Sequence, residues 1–442
     1  MANELRPHTI ISTMYGATVR VLRKLGGGGQ GDVYEVEYRG KRKALKWYHI
    51  DKISNLNSFV KNLKRNITMG SPTPDFLWPI DMTEFVSGSF GYVMDLCPEG
   101  YEEAKELLIG NVRFASYRRR IDACLNIVSA FRILHGKGFS YQDVNAGNFF
   151  IDPRTGKVLI CDNDNVTTNG EEMGVLGTLS YMAPEIVTRK SFPNKYSDRH
   201  SLAVLLFRLL LGPHPLEGAR SVNTVLDSQM RRSLYGENAL FVMDPHDRSN
   251  APDPIAQEGL VSLWNQMPEH LKKLFTNAFS QEALHDPLCR PLEADWQSSL
   301  ARFRSEVLTC GCGNEVCCES GMPVLCDACK QLVCAPFVAV FREMVLPVAL
   351  DTRIYRCQLG NPGISKALDL VAYVTGAIDD PYALGLRNMD SEPWEVHTRW
   401  NERHLLRQDE VVQVEEGLRV AMPGTRGPVK VRFERNAQTV RK

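Results

Sequence analysis

The chain has 442 residues, with 52 Lys and Arg against 52 Asp and Glu, 43% hydrophobic residues and 24% charged ones. That apolar share supports a sizeable core and excludes whole-chain disorder, while zero net charge argues against a protein built mainly to coat nucleic acid or an anionic membrane. The length is that of two or three domains.

Residues 1–20 lack the uninterrupted apolar core of a secretory signal, so a cytoplasmic setting with reduced cysteines is expected. The first chemical signal is Gly26-Gly27-Gly28-Gly29-Gln30-Gly31-Asp32-Val33, a G-x-G-x-x-G-x-V pattern. Glycine suits a backbone that must approach phosphates closely, where a Cβ would intrude. A dinucleotide site needs a helix after its glycines. Here residues 33–38 (VYEVEY) alternate like a strand, Arg39-Gly40-Lys41 makes a turn, and Arg42 to Tyr48 reads as the returning strand, with Lys46 on it. A glycine loop inside a hairpin, with a lysine on the next strand, is expected to cover nucleotide phosphates, where a plain surface hairpin is the alternative.

Ile121 to Leu134 carries apolar residues at helical spacing and is ended by Gly136 and Gly138. Then come Asp143 and Asn148 in a D-x-x-x-x-N loop, and a short strand from Lys157 to Cys161 that delivers Asp162. Phosphoryl transfer is largely positioning and charge neutralisation. It needs one carboxylate to orient the attacking hydroxyl, and a carboxylate plus an amide oxygen to hold Mg²⁺. Asp143, Asp162 and Asn148 supply these. Ser201 to Leu211 is the most hydrophobic stretch, but it contains Arg208 and is too short to cross a bilayer, so a buried helix and no membrane partner are expected.

In this order the motifs resemble the eukaryotic-type (Hanks-type) serine/threonine protein kinases, in a divergent bacterial form. The resemblance implies an α+β, two-lobed domain over residues 16–308, with a small lobe of 16–96 and a large lobe of 97–308. Ala183-Pro184-Glu185 looks like the anchor of an activation segment, Asp198 like the brace of the catalytic loop, and Arg290 like the partner of Glu185. ATP would lie under Leu25, Gly26, Gly27, Gly28, Gly29, Gln30 and Gly31, against Val33 and Ala44. Met94 would be the gatekeeper, and the backbone from Asp95 to Cys97 would bind adenine. Lys46, with Mg²⁺ or Mn²⁺ on Asn148 and Asp162, would hold the phosphates, and Asp143 would aim a Ser or Thr hydroxyl of a protein substrate. A partner protein phosphatase is a further implication.

Four departures bear on control and rate. No acidic residue lies between Asp51 and Asp75, where the family places the helix glutamate that pairs with the strand lysine; Asn62 and Asn66 could hydrogen-bond Lys46 but not neutralise it. Tyr141-Gln142 stands where His-Arg is usual, so no arginine receives an activation-loop phosphate from Thr167, Thr168 or Ser180. Asn145 stands in place of a lysine against the γ-phosphate, and loss of such a preorganised charge costs roughly 10²–10³ in rate. Asp162-Asn163-Asp164 replaces Asp-Phe-Gly, which keeps the metal carboxylate and loses the flexible glycine, so this segment is expected to flip outward less readily. An active but slow or unusually controlled kinase is the first reading. The alternatives are a pseudokinase acting as an ATP-binding scaffold, and a zinc-ribbon adaptor for nucleic acid.

Seven of the twelve cysteines lie between Cys310 and Cys334. Cys310-x-Cys312 and Cys326-x-x-Cys329 can bring four thiolates to one structural Zn²⁺ in a ribbon spanning 309–335, although Cys317 or Cys318 could replace one member and Cys334 is a spare. Glu315 and Glu319 inside the loop, with no cluster of Lys or Arg, argue against a phosphate-binding surface, so nucleic acid is not expected as a partner of the chain. Beyond it, residues 336–442 read as a small β-sandwich for regulation or docking. Val411 to Val414, Leu418 to Met422 and Val429 to Phe433 are its clearest strands, with Trp394, Trp400 and Tyr355 in the core.

Overall fold

The computed structural model describes residues 4–437 apart from 173, 175, 223, 361, 362, 377–382 and 425. Its first layer is an antiparallel sheet of β1 (Ile10–Ser12), β2 (Thr18–Gly27), β3 (Gly31–Tyr38), β4 (Lys41–Tyr48), β5 (Asp81–Met82) and β6 (Gly91–Met94), in the spatial order β1-β2-β3-β4-β6-β5. Side chains of a strand alternate between faces. Leu45 and Trp47 therefore join Val19, Val21, Tyr34 and Val36 on one side. Ala44 and Tyr48 face the other, against Phe59 and Leu63 of α1 (Leu56–Met69), and Lys46 stands between them. Asn55 caps α1 by accepting from the Ser58 N–H at 3.1 Å.

The second lobe is helical and is organised by α2 (Tyr117–Gly136), α3 (Lys195–Leu211) and α4 (Glu293–Glu306). The Ser201 to Leu211 stretch lies within α3 and is buried nearly all round, as a core helix should be. Among the described residues no helix is long and apolar enough to cross a membrane. Arg290 forks onto Glu185 with Nη–Oε distances of 2.8 and 2.7 Å, which anchors Ala183-Pro184-Glu185 to the lobe. Asp198 accepts from the backbone N–H groups of Tyr141 and Gln142 at 2.6 and 2.9 Å, so α3 fixes the loop that carries Asp143.

His135 lies buried between Asp198, at 3.1 Å, and Glu293, at 2.8 Å. Burial opposes its charge, but the two carboxylates prevail and raise its pKa above the usual 6.5. Burial would raise Glu293 too, yet His135 and Arg199 hold it down at about 2. A histidine raised in the folded state stabilises fully below its unfolded pKa and loses that contribution as pH rises through the folded value. Wild type should therefore exceed His135→Gln in urea stability by more at pH 6 than at pH 9. An equal gap at both pH values would refute a charged His135.

Helix α4 runs without a linker into the strand Val307–Thr309, which pairs with Glu315–Cys317; Val324–Leu325 pairs with Leu332–Val333 to form the second small hairpin. Arg118 of α2 ties this module to the lobe, donating to the Thr309 hydroxyl and the Val307 carbonyl, both at 2.8 Å. Two further sheets follow. One has six strands in the order Met344–Val348, Phe337–Phe341, Val429–Arg435, Arg419–Met422, Trp394–His397, Arg403–Leu406. The other runs Arg353–Tyr355, Leu370–Gly376, Leu384–Asn388, Val411–Gln413. Phe341, Leu386, Trp394, Val420 and Phe433 fill the space between them.

Two aromatic assignments are corrected. Trp400 is 71% exposed, because it sits in the turn between two strands and not on either of them. Tyr355 packs into the large-lobe core, where Cys357, Leu368 and Leu370 accompany it.

Candidate active site

The glycines of the β2–β3 turn are of two kinds. A Cβ on Gly31 would come 2.3 Å from the Trp47 carbonyl, so glycine here lets β3 lie against β4. A Cβ on Gly26, Gly28 or Gly29 would meet nothing within 4 Å, which leaves the tip open toward a ligand. The tip is closed by the Gly28 N–H donating to the Gly31 carbonyl at 2.8 Å. Leu25 is exposed at its edge. Val33, Ala44, Met94 and Cys97 pack in one cluster with Leu96 of the small lobe and with Leu159 and Cys161 of the large one. This gives an apolar wall spanning both lobes. Asp95 points outward and pairs with Lys43.

Lys46 meets carboxylates from the other lobe: its Nζ lies 3.0 Å from Asp164 and 3.3 Å from Asp162. Asp164 is fully buried, and it also accepts from the Tyr48 hydroxyl at 2.7 Å. Burial disfavours a charged Lys46, but these two carboxylates overcome it and raise the lysine pKa. The counter-ion missing from α1 thus comes from Asp164, in the place of the family's glycine. Burial raises the Asp162 pKa, with Lys46 pulling the other way.

Neither Asn62 nor Asn66 hydrogen-bonds Lys46. They cap the backbone instead: Asn62 donates to the carbonyls of Asp164 and Val166 at 3.1 and 2.9 Å, and Asn66 to that of Val166 at 2.8 Å. Asn163, in the place of phenylalanine, donates to the carbonyls of Leu77 and Ile160 at 2.9 and 2.8 Å. Helix and segment are joined by these neutral amides and by Arg65, which donates to the Thr167 hydroxyl at 3.0 Å and pairs with Glu171 at 2.7 Å. Thr167 is buried, with its hydroxyl given to Glu171 at 2.8 Å, so it is not an exposed acceptor for phosphate; Thr168 is exposed.

In the D-x-x-x-x-N loop, Asn148 and Asn145 donate to the Asp143 carbonyl at 2.9 and 3.2 Å. Among the described residues the Asn148 side-chain oxygen accepts no hydrogen bond, and Asp162 keeps 37% of its side chain exposed. These hard oxygens suit Mg²⁺. The Thr178 hydroxyl donates to the Asp143 carboxylate at 2.9 Å. Gly177 makes that approach possible, with φ at +97° and room for a Cβ only 3.0 Å from the Gln142 carbonyl. Gln142 and Asp162 both hold positive φ, 73° and 53°, which is strain concentrated where the site is built. Motif spacing in the sequence does not mark Asp164 and Thr178 as site residues, and the structure brings them there. The sequence does hold a signal for Asp164, an extra acid beside Asp162 in a chain whose α1 has none.

The sulfurs of Cys310, Cys312, Cys326 and Cys329 lie within 4.8 Å of one another, with pairs at 3.5 and 3.7 Å. Four thiolates at a Zn–S distance of 2.3 Å on a tetrahedron stand about 3.8 Å apart, so the set fits zinc. Backbone N–H groups of Cys329 and Ala328 hold the Cys326 thiol down at about 6. Cys317, Cys318 and Cys334 stay outside the cluster; Cys318 bonds the Val333 carbonyl and Cys334 the Ala335 carbonyl.

Residues 19–282 match the family model of the protein kinase domain. The chain is 26% identical to the serine/threonine-protein kinase PrkC of Bacillus subtilis over 49% of its own length and 34% of that protein. It is 26% identical to the protein kinase YegI of Escherichia coli over 42% of itself and 28% of that protein. To the human serine/threonine-protein kinase 40 it is 24% identical, over 34% of itself and 39% of that protein. The chain thus spans about a third of the length of each of these relatives.

Proposed function

The chain belongs to the protein kinase family, in a divergent bacterial form, and from that premise we propose that it transfers the γ-phosphoryl group of ATP to Ser or Thr hydroxyls of proteins. The observation that supports this most is the meeting of Lys46 with Asp162 at 3.3 Å across the two lobes, beside the loop of Asp143 and Asn148. Lys46 would bind the phosphates, and the open glycine tip would cover them. Mg²⁺ held by Asn148 and Asp162 would neutralise charge on the phosphates. Asp143 would orient the acceptor hydroxyl, and Thr178 on its other oxygen would hold that carboxylate in place. Engagement of Thr178 is what favours Ser and Thr acceptors, since it shapes the spot where the hydroxyl must arrive.

In this reading residues 16–308 are the kinase, 309–335 a zinc ribbon and 336–442 a docking module. A cytoplasmic setting suits the reduced thiolates. Control would be unusual, because α1 is fastened to the segment after Asp162 by buried amides as well as by the Arg65–Glu171 ion pair at 2.7 Å, and the counter-ion of Lys46 comes from that segment and not from the helix.

Transfer from γ-labelled ATP with Mg²⁺ or Mn²⁺ tests the proposal. Asp143→Ala should lower turnover at least about 100-fold, and Asp162→Ala should abolish metal-dependent transfer. Wild type that binds ATP but transfers nothing would make the chain a pseudokinase.

A further inference from the structure

The six-stranded sheet of the carboxy-terminal sandwich turns one face to the core and one to solvent. On the solvent face the register aligns three arginines and a histidine across four neighbouring strands: Arg432 is opposite Arg419, Arg419 opposite His397, and His397 opposite Arg403. Val431, Phe433 and Val420 are buried in the core, so these neighbours in sequence must point outward. At a strand spacing of about 4.8 Å the row is about 14 Å long. Lys430 stands two residues along the same face and Arg342 rises from the adjoining turn, and together they border a concavity of about 760 Å³.

Arg432 pairs with Glu434 at 2.5 Å and His397 with Glu395 at 2.9 Å. Among the described residues, Arg342, Arg403, Arg419 and Lys430 have no carboxylate within ion-pair distance. Like charges directly opposite in a sheet are destabilising. A polyanion laid along the row would offset that repulsion. Glu395 and Glu434 share this face and Glu415 pairs with Arg399 at 3.3 Å on the adjoining turn, but Arg342, Arg403, Arg419, Arg432 and Lys430 outnumber them.

A second observation points to the kind of polyanion. The turn that joins His397 to Arg403 carries Trp400, 71% exposed, with the Arg399 guanidinium 4.5 Å from its ring centroid. A cationic track ending in an exposed aromatic ring is how proteins hold unpaired strands, phosphates on the cations and a base on the ring. One phosphate group on a peptide would call for donors converging on a point, whereas these cations are spread along a line. We propose that this sheet face binds single-stranded nucleic acid, with roughly two to four successive phosphates on Arg403, Arg419 and Arg432 and an unpaired base on Trp400.

Fluorescence anisotropy of a labelled oligothymidylate or oligouridylate with the full chain tests this. With about three phosphates neutralised, log affinity should fall with log salt at a slope near −2. Arg419→Ser with Arg432→Ser should weaken binding at least about tenfold and flatten that slope. Trp400→Ala should weaken it about 5- to 100-fold with the slope kept. Thermal unfolding of the arginine variant should be unchanged or raised, since an opposed like-charge pair is removed. No binding at low salt, equal binding by the variants, or tighter binding of a duplex or of a phosphothreonine peptide than of the strand would overturn the proposal.

Discussion

Replacing Asp164 with alanine is expected to cost about 3–5 kcal/mol of folding stability, because it leaves Lys46 with part of its charge unanswered inside the protein. The Tyr48 hydroxyl loses its acceptor in the same step. Asp164→Asn keeps an acceptor for that hydroxyl and removes only the charge, so it should fall between wild type and alanine. Substituting Lys46→Met together with Asp164→Leu should be more stable than either single change, since an apolar pair removes both buried charges. Urea denaturation of the four proteins reads this out as a double-mutant cycle. Additive losses would show that the two residues do not depend on each other. In the proposed kinase, Asp164→Ala should also raise the KM for ATP, as Lys46 is then drawn wholly to Asp162 and competes for the carboxylate that serves the metal.

Removal of zinc should have the other large effect. Four-thiolate sites of this class bind from tens of nanomolar down to picomolar, and the two small hairpins around the cysteines have little core of their own beyond Leu308, Val316 and Val333. One zinc per chain is expected by elemental analysis, and it should be lost in Cys326→Ser with Cys329→Ser. The melting temperature of the whole chain should fall with it. Glu306, the last residue of α4, is buried and held by His270 and Arg302, both at 2.9 Å, and by the Ser320 N–H at 3.1 Å. Ser320 belongs to the ribbon, so melting of the ribbon removes one of these three holds on the end of a large-lobe helix. A metal-free chain with an unchanged melting curve would contradict this coupling.

The parts of the site legible in the sequence were those whose chemistry demands a residue type at a spacing. Glycines with a strand on each side, a lysine on the next strand, and the Asp143, Asn148 and Asp162 series can be read without coordinates because transfer chemistry limits what can stand there. Asp164 is different. An acid in Asp-Asn-Asp reads as a turn residue, and only the three-dimensional path of the chain shows that it faces Lys46 from 118 residues away. In the sequence the asparagines of α1 offer themselves as partners for the lysine, whereas bare backbone carbonyls of the opposing segment claim them first. In the sandwich, Val429–Arg435 was legible because one face is buried and the other wet. Leu370–Gly376 opens on Leu-Val-Ala-Tyr-Val and blurs the alternation on which the reading depends.

The seamless passage from α4 into the ribbon, together with Tyr355 lodged in the large-lobe core, changes how the appended modules could communicate with the proposed phosphoryl transfer. A beads-on-a-string arrangement would signal by swinging a tethered head toward or away from the cleft. Here the appendages are mortised into the large lobe, through Arg118 on α2, through Tyr355 and through the Ser305 hydroxyl of α4, which donates to the Arg353 carbonyl at 2.6 Å, so a ligand on the distal sheet would be felt as stress passed along these two helices. Cutting the chain at residue 308 would pull a peg from its socket and would yield a weakened large lobe, not a liberated one.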